Sequence, residues 1–120
     1  MALKLKRAYA EPARGDGMRI LVDRLWPRGI AKEKAGIDLW LKEIAPSNTL
    51  RKRFHARPEK WADFLAAYFA ELDSGAADDA AKELRRHARK GTVTLLYAAR
   101  DEEHNNAVAL KAWLTRKKRP

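Results

Sequence analysis

Two charged segments carry the side chains best suited to chemistry, and the first is Asp23-Arg24-Leu25-Trp26-Pro27-Arg28-Gly29. It directly follows the apolar run Ile20 to Val22, which is typical of a buried strand. Arginine guanidinium groups form paired hydrogen bonds to carboxylates and phosphates. Pro27 lacks a backbone donor and Gly29 accommodates positive φ, so the strand must end and turn there. The segment predicts an anion-binding site at the end of a buried strand, with Arg24, Trp26 and Arg28 as ligand-binding residues.

The second segment, Arg100-Asp101-Glu102-Glu103-His104-Asn105, follows the most β-rich run of the chain, Thr92 to Ala99. An imidazole titrates near neutral pH, so His104 is a candidate general acid or base, with Asp23 as the second candidate catalytic residue. The competing interpretation makes His104 an ordinary surface histidine near three acids. Asp101 is predicted to cap the helix that follows, where these acids would occupy the positive end of the dipole. A bound anion is therefore expected nearer to the arginines of the first segment.

The two arginines of the first segment also have a structural interpretation. They could form ion pairs with one of three acids: Asp23, Asp38 or Glu43. Trp26 could likewise cover the core instead of stacking on a ligand, and Ser47 fits a helix N-cap better than a nucleophile. The sequence contains no Gly-rich phosphate loop, catalytic triad or paired-carboxylate motif. It thus predicts a binding site and leaves open whether a reaction is catalysed there.

The elements that must position these segments follow from hydrophobic periodicity. Strands are predicted over residues 3–8, 19–25 and 92–99, and helices over residues 47–54, 58–73, 78–90 and 103–116. Residues 31–36 fit a turn of helix or an ordered loop. Residues 37–45 fit a strand or a helix, and the strand is favoured. This order predicts an α/β fold, with a mostly parallel sheet of about three to four strands flanked by four or five helices.

A parallel sheet would bring the two charged segments together, because the carboxyl ends of parallel strands share one edge. The predicted strand over residues 37–45 would add Lys42 and Ser47 at the same edge. Period-two alternation with lysines on one face places the first strand at a sheet edge. The aromatic stripe that begins at Trp61 recurs at helical spacing and is interpreted as core rather than as a ligand site.

Composition limits the classes of function. The 120 residues predict one α/β domain over residues 1–115, followed by a basic tail over residues 116–120. The absence of cysteine excludes a disulfide, a thiolate nucleophile and a Cys-based metal site, and it favours a cytoplasmic location. The three histidines show no metal-ligand spacing, so no metal site is predicted. No apolar run has the length of a membrane span, so no membrane partner is expected.

The formal net charge is +10, and the excess lies mainly in residues 1–57 and in the basic run 116–119. Positive charge attracts polyanions, so nucleic acid and phosphorylated ligands are candidate partners. The competing interpretation is a basic, solvated surface that maintains solubility. Charge of this kind indicates association and says nothing about fold.

Long motifs in this chain resemble the YeaO-like family of small bacterial proteins, a domain of unknown function. They are Leu21–Gly29 with residues 32–34, Trp40-Leu41-Lys42, Ala45-Pro46-Ser47, Leu50-Arg51, Glu59-Lys60-Trp61 and Thr94–Asn105. The resemblance covers roughly residues 5–115 and implies a compact α/β fold and a bacterial cytosolic origin. It implies no reaction, and the cofactor stays unknown. Asn106 stands where many relatives have histidine, so a two-histidine pair is not implied.

The recurring motifs of that family include the full set of candidate site residues: Asp23, Arg24, Trp26, Arg28, Lys42, Ser47, Tyr97, Arg100, His104 and Asn105. Two hypotheses follow. The first is a site for a small anionic or nucleotide-like ligand at the carboxyl edge of the sheet. The second is a non-enzymatic module that binds nucleic acid or an acidic partner through the basic N-terminal half and tail. The first is favoured because the motif residues cluster after strands, whereas the surplus lysines and arginines are scattered.

Overall fold

The computed structural model describes residues 2–116, in which four parallel strands form one sheet in the order β1-β4-β2-β3. The strands are β1 (Leu3–Arg7), β2 (Met18–Leu21), β3 (Leu39–Trp40) and β4 (Val93–Tyr97). The helices in the same part of the chain are α1 (Lys32–Ala35), α2 (Asn48–Ala56), α3 (Trp61–Asp73), α4 (Asp78–Lys90) and α5 (Asn106–Thr115). The predicted α/β fold with a parallel sheet is confirmed.

The central position of β4 explains its composition. It pairs with β1 on one side and with β2 on the other, so that Leu95 lies opposite both Leu5 and Ile20. All of its residues are buried, as expected for a continuous apolar run in a parallel sheet. Within residues 2–116, β1 pairs only with β4, which confirms its predicted place at a sheet edge.

One face of the sheet forms the main core with the helices. Ile20, Val22 and Leu95 lie on this face and are fully buried. The stripe on α3 packs against them, as do buried residues of α4 and α5. The stripe is therefore core, as its helical spacing predicts. The Tyr68 hydroxyl at the centre of α3 donates a hydrogen bond of 2.6 Å to the Ile44 carbonyl.

This buried hydrogen bond supports a first prediction. We expect Tyr68→Phe to lower the free energy of unfolding by about 1–2 kcal/mol, because the Ile44 carbonyl loses its donor while the packing of the ring is kept. Chemical denaturation would measure the change. Tyr9→Phe is the control, since Tyr9 is 44% exposed. Equal stabilities of the two variants would contradict the expectation.

The opposite face of the sheet is covered by loops instead of the larger helices. Leu21 and Leu96 are fully buried there, against Trp26 and Trp40. The Arg19 side chain lies beside them and is also buried. Its guanidinium contacts the Asp16 carboxylate at 2.6 Å and donates to the Gly36 carbonyl at 2.8 Å. A buried ion pair therefore joins β2 to the 3₁₀ turn Arg14–Asp16.

Several basic side chains of the N-terminal half donate to backbone carbonyls. Lys4 Nζ binds the Gly15 carbonyl at 2.8 Å, and Lys6 Nζ binds the Glu11 carbonyl at 2.8 Å. Arg7 donates to the carbonyls of Ala98 and Ala99, at 2.8 and 2.9 Å. Arg19 is buried and Lys6 and Arg7 are half-buried, whereas Lys4 stays exposed, so these contacts withdraw only part of the N-terminal positive charge from solvent.

Some predicted boundaries were wrong. β2 ends at Leu21 instead of residue 25, because the carboxylate and carbonyl of Asp23 accept hydrogen bonds from other segments and take the chain out of the sheet. Residues 37–45 contain the short strand β3 and a 3₁₀ turn. The strand predicted for this segment is therefore correct for only two residues. Residues 31–36 contain α1.

Two helices begin later than predicted. α3 starts at Trp61 instead of residue 58, where the core-facing stripe begins, and Pro58 lies in the preceding turn. α5 starts at Asn106 instead of residue 103, and its N-cap is Asn105 instead of Asp101. Asn caps a helix as well as Asp does, and the Asn105 side chain accepts the Val108 amide at 2.9 Å.

The predicted basic tail is only partly described. Residues 117–120 lie outside the described residues. Arg116 lies within them and forms a salt bridge with Asp73. No helix in residues 2–116 combines the length and apolar character needed to cross a bilayer.

Candidate functional site

A cavity of about 650 Å³ opens at the carboxyl edge of the sheet, where the chain leaves β2 and β4. Its volume lies within the range of small-molecule sites. Most of the predicted site residues line it, namely Asp23, Arg24, Trp26, Arg28, Arg100, His104 and Asn105. The two charged segments therefore meet, as the parallel sheet requires.

Three predicted site residues lie elsewhere. Lys42 is exposed and holds its Nζ 5.2 Å from the centre of the Trp40 ring. Tyr97 is buried, and burial raises the pKa of its hydroxyl above the ordinary value. Ser47 is the N-cap of α2: its hydroxyl accepts the Leu50 amide and donates to Glu71 at 2.6 Å. None of these side chains lines the cavity.

Asp23 joins the two strand ends at the base of the cavity. One carboxylate oxygen accepts the Ala98 amide at 2.9 Å, and the other accepts the Asn106 side-chain amide at 2.9 Å. Burial raises the pKa of the Asp23 carboxyl above its ordinary value, while these hydrogen bonds and the charges of Arg51 and His55 act in the opposite direction. The carboxylate thus positions the strand ends and α5 with respect to each other.

Arg24 does not form the predicted ion pairs. Its Nε donates to the Pro46 carbonyl and its Nη2 to the Ala45 carbonyl, each at 3.0 Å. No salt bridge of Arg24 or Arg28 with Asp23, Asp38 or Glu43 is found within residues 2–116. Arg24 therefore holds the segment before α2 against the cavity, and the exposed Arg28 lies at its rim.

Trp26 occupies a position that fits both a cover on the core and a ligand-binding residue. Its indole N–H donates to the Ile30 carbonyl at 2.7 Å, and its ring meets Trp40 edge to face with ring centres 5.6 Å apart. It packs on the apolar cluster of Leu21 and Leu96 while it also lines the cavity. One tryptophan thus covers the core and forms part of the cavity wall.

The loop before α5 orders the second charged segment. Asp101 Oδ1 accepts the amides of Glu103 and His104 at 2.9 and 3.0 Å, and these bonds hold the pKa of the Asp101 carboxyl below its ordinary value. The other oxygen, Oδ2, lies 3.3 Å from His104 Nδ1. His104 was expected in the first turn of α5, but it precedes the helix, because Asn105 provides the N-cap.

Sequence reasoning missed three polar residues that line the cavity: Arg51, His55 and Asn106. Arg51 and His55 lie four residues apart on α2, so one face of this helix meets the cavity. That i, i+4 spacing is the signal in the sequence that could have identified them. Asn106 also donates to the Val22 carbonyl at 3.0 Å, a contact that no local pattern indicates.

Arg51 is the cavity arginine with an unsatisfied buried donor. Its Nε is buried and has no hydrogen-bond partner within residues 2–116. An unsatisfied buried donor costs about 1–3 kcal/mol. An anion bound by this guanidinium would offset that cost. Among the described residues, no group of three or more His, Asp or Glu side chains lies close enough to hold a metal ion.

Comparison with known proteins places these features in a family. A family model described as the inactive DUF488-N3 subclade (DUF488-N3i) matches residues 2–119. The chain is 45% identical to the uncharacterized protein YeaO of Escherichia coli over 114 aligned residues. This alignment covers 95% of this chain and 97% of that protein. The chain is also 36% identical over 108 residues to the uncharacterized protein Rv3073c of Mycobacterium tuberculosis, with 90% and 89% covered. No solved structure matches the chain.

Proposed function

The chain belongs to the inactive DUF488-N3 subclade, a YeaO-like family, and from that premise we propose that it binds a small, nucleotide-sized anion in the cavity described above. The observation that carries this proposal is the convergence of Arg24, Arg28, Arg51 and Arg100 from three separate segments on one cavity. Guanidinium groups bind phosphates and carboxylates in paired hydrogen bonds, and their charge does not titrate near neutral pH.

The acids of the cavity compete little with a bound anion. Both oxygens of Asp23 accept hydrogen bonds from Ala98 and Asn106, and burial raises its pKa. Asp101 accepts two amides of its own loop. The arginines therefore face carboxylates whose hydrogen-bonding capacity is largely used inside the chain.

The apolar part of the lining indicates that the ligand also has a flat, apolar portion. Trp26 and Phe54, which are both half-buried, contribute aromatic surface. Tyr9 and Leu25 are large apolar side chains left exposed, at 44% and 57%, and both line this cavity. Exposed apolar surface of this kind is often covered by a ligand. A nucleotide combines such a surface with a phosphate.

We propose binding without turnover. The matching family is described as inactive, and the Asp23 carboxylate is occupied by positioning contacts. His104 beside Asp101 is the remaining acid–base pair, and its predicted catalytic role, like that of Asp23, stays a prediction. The cytoplasmic location also stays a prediction.

The alternative of a broad nucleic-acid-binding face is less well supported. Arg19 is buried, Lys6 and Arg7 are half-buried, and all three donate to backbone carbonyls, so these cations contribute little to an open basic surface. Most of the basic tail that this hypothesis uses lies outside residues 2–116.

Arg51→Gln tests the proposed site. We expect it to weaken binding of the best nucleoside monophosphate or small carboxylate at least tenfold, equivalent to about 1.4 kcal/mol, because a charged donor is lost. Isothermal calorimetry against a panel of such anions would measure the affinity.

Lys52→Gln is the matched control, because Lys52 is the next residue of α2, is exposed, carries the same charge and does not line the cavity. We expect it to leave the affinity unchanged. The proposal fails if no small anion binds, or if both variants reduce binding equally. Turnover of the bound anion, lost in His104→Ala, would restore the catalytic interpretation.

A further inference from the structure

A second cavity of about 350 Å³ adjoins the first along α2 and the start of α3. Phe54 and Phe64 line both cavities, so the two share an aromatic wall. The phenyl rings stack with centres 4.4 Å apart and an angle of 27° between their planes. The two cavities therefore meet at Phe54, which is half-buried, whereas Phe64 is buried in the core.

The second cavity is basic. It is lined by Arg53, Arg57 and Lys60, against the single acid Asp63. The Arg57 amide donates to the Arg53 carbonyl at 3.1 Å, so these arginines are one helical turn apart, with side chains about 5–6 Å from each other at their bases. Arg57 also contacts Glu59 at 3.1 Å, but both side chains are more than half exposed, so this ion pair is weak.

On the basis of the function proposed above, we propose that the anion is the end of a single-stranded nucleic acid. The terminal nucleotide occupies the larger cavity, with its phosphate on Arg51, and the following phosphates contact Arg53 and Arg57. Non-specific binders of single strands combine aromatic platforms for the bases with a positively charged groove along the backbone. The larger cavity provides aromatic side chains, and the adjoining smaller cavity provides positive charge.

A free mononucleotide would leave the second cavity unoccupied, because the arginines of the first cavity already bind its phosphate. An acidic protein segment would match the charge of Arg53 and Arg57 but would gain nothing from the aromatic side chains of Tyr9, Trp26 and Phe54. A short nucleic-acid strand fits the aromatic lining of the larger cavity and the charge of the smaller one together.

The test compares one ligand that fills one cavity with another that fills both. Fluorescence anisotropy would follow a labelled single-stranded hexanucleotide, and calorimetry would follow the matching mononucleotide. We expect the hexanucleotide to bind wild type at least tenfold more tightly. We expect the double variant Arg53→Gln/Arg57→Gln to weaken hexanucleotide binding at least tenfold at low salt and to leave mononucleotide binding unchanged.

Salt dependence supplies an independent readout. Each phosphate contact on a single strand contributes about 0.7 to the slope of log affinity against log salt. The double variant is therefore expected to reduce that slope by about 1.4. The control is Arg86→Gln/Arg89→Gln, which removes two exposed arginines of α4, outside both cavities.

The outcomes separate this inference from the function on which it rests. Mononucleotide binding that depends on Arg51, combined with hexanucleotide binding that is no tighter or is unaffected by Arg53→Gln/Arg57→Gln, overturns the inference and keeps the proposed site. Equal binding of poly-glutamate overturns it in favour of a general polyanion surface. If Arg51→Gln changes neither ligand, the proposed function fails as well.

Discussion

Asp16→Ala is expected to lower the free energy of unfolding by about 3–5 kcal/mol, because it leaves a buried guanidinium without its counterion. Asp16 and Arg19 are both nearly inaccessible to solvent, and the contact between them is 2.6 Å long. Lys6 Nζ adds a second cation at 3.1 Å from the same carboxylate. Removing one member of such a group costs more than the pair contributes by itself, since the remaining charge stays desolvated. Urea denaturation at pH 6 would measure the change.

The effect should depend on pH in a defined direction. Burial by itself raises the pKa of the Asp16 carboxyl, but hydrogen bonds from the Ala13 amide, Arg19 and Lys6 outweigh it and lower the pKa from 3.8 to about 2. The folded chain therefore holds this carboxylate ionised more strongly than the unfolded chain does. Its contribution to stability is present above pH 3.8 and is lost as the pH falls from 3.8 towards 2. The difference between wild type and Asp16→Ala should shrink from pH 6 to pH 3.

Two further variants test whether loss of the buried ion pair causes the lower stability of Asp16→Ala. Asp79→Ala removes an exposed carboxylate from the first turn of α4 and should cost no more than about 1 kcal/mol, the usual value for a charge at a helix N-terminus. Arg19→Met in the Asp16→Ala background should recover part of the loss, because it removes the buried charge that the first substitution left unpaired. A loss that Arg19→Met does not reduce would contradict the ion-pair explanation.

Gly17→Ala is the second large effect, and we expect it to cost at least about 3 kcal/mol or to prevent folding. Gly17 has φ 63° and ψ −138°, a combination that is close to glycine-only. A Cβ atom at this position would lie 2.1 Å from the carbonyl oxygen of Thr92. That carbonyl accepts the Met18 amide where β2 and β4 begin to pair, so neither backbone can move away without loss of the register.

Gly29→Ala separates the cost of the left-handed backbone from the cost of the steric clash with Thr92. Gly29 also has positive φ, at 79°, but a Cβ atom there would meet nothing within 4 Å. Its cost should be limited to about 1–2 kcal/mol for the left-handed backbone. Thermal and urea denaturation of the two variants would show the difference. Similar losses in both would indicate that close approach to Thr92 does not matter.

The sequence determined the fold class and the place of the cavity that forms the candidate site. The continuous apolar run of β4 predicted a strand and the alternating pattern of β1 predicted an edge strand, and both are confirmed. The two charged segments had to meet, because parallel strands end at one edge and Pro27 with Gly29 forces the first segment to turn. These features depend on local periodicity and on backbone chemistry, which a single sequence displays directly.

Only the tertiary structure decided which charged side chains line the cavity. Arg19 and Arg24 have the same chemistry in the sequence, yet Arg19 is buried against Asp16, whereas Arg24 lines the cavity and holds the Ala45 and Pro46 carbonyls. Ser47 acts as the cap of α2, and through that helix Arg51 reaches the cavity.

The tertiary structure also decided which residue caps α5. Asp101 and Asn105 are both good caps, and the choice between them moved His104 out of the helix and brought Asn106 to Asp23. Such choices depend on which donors and acceptors the packed elements bring within about 3 Å of one another. Spacing in the sequence does not predict such contacts, because the partners can lie more than 80 positions apart, as Asn106 and Asp23 do.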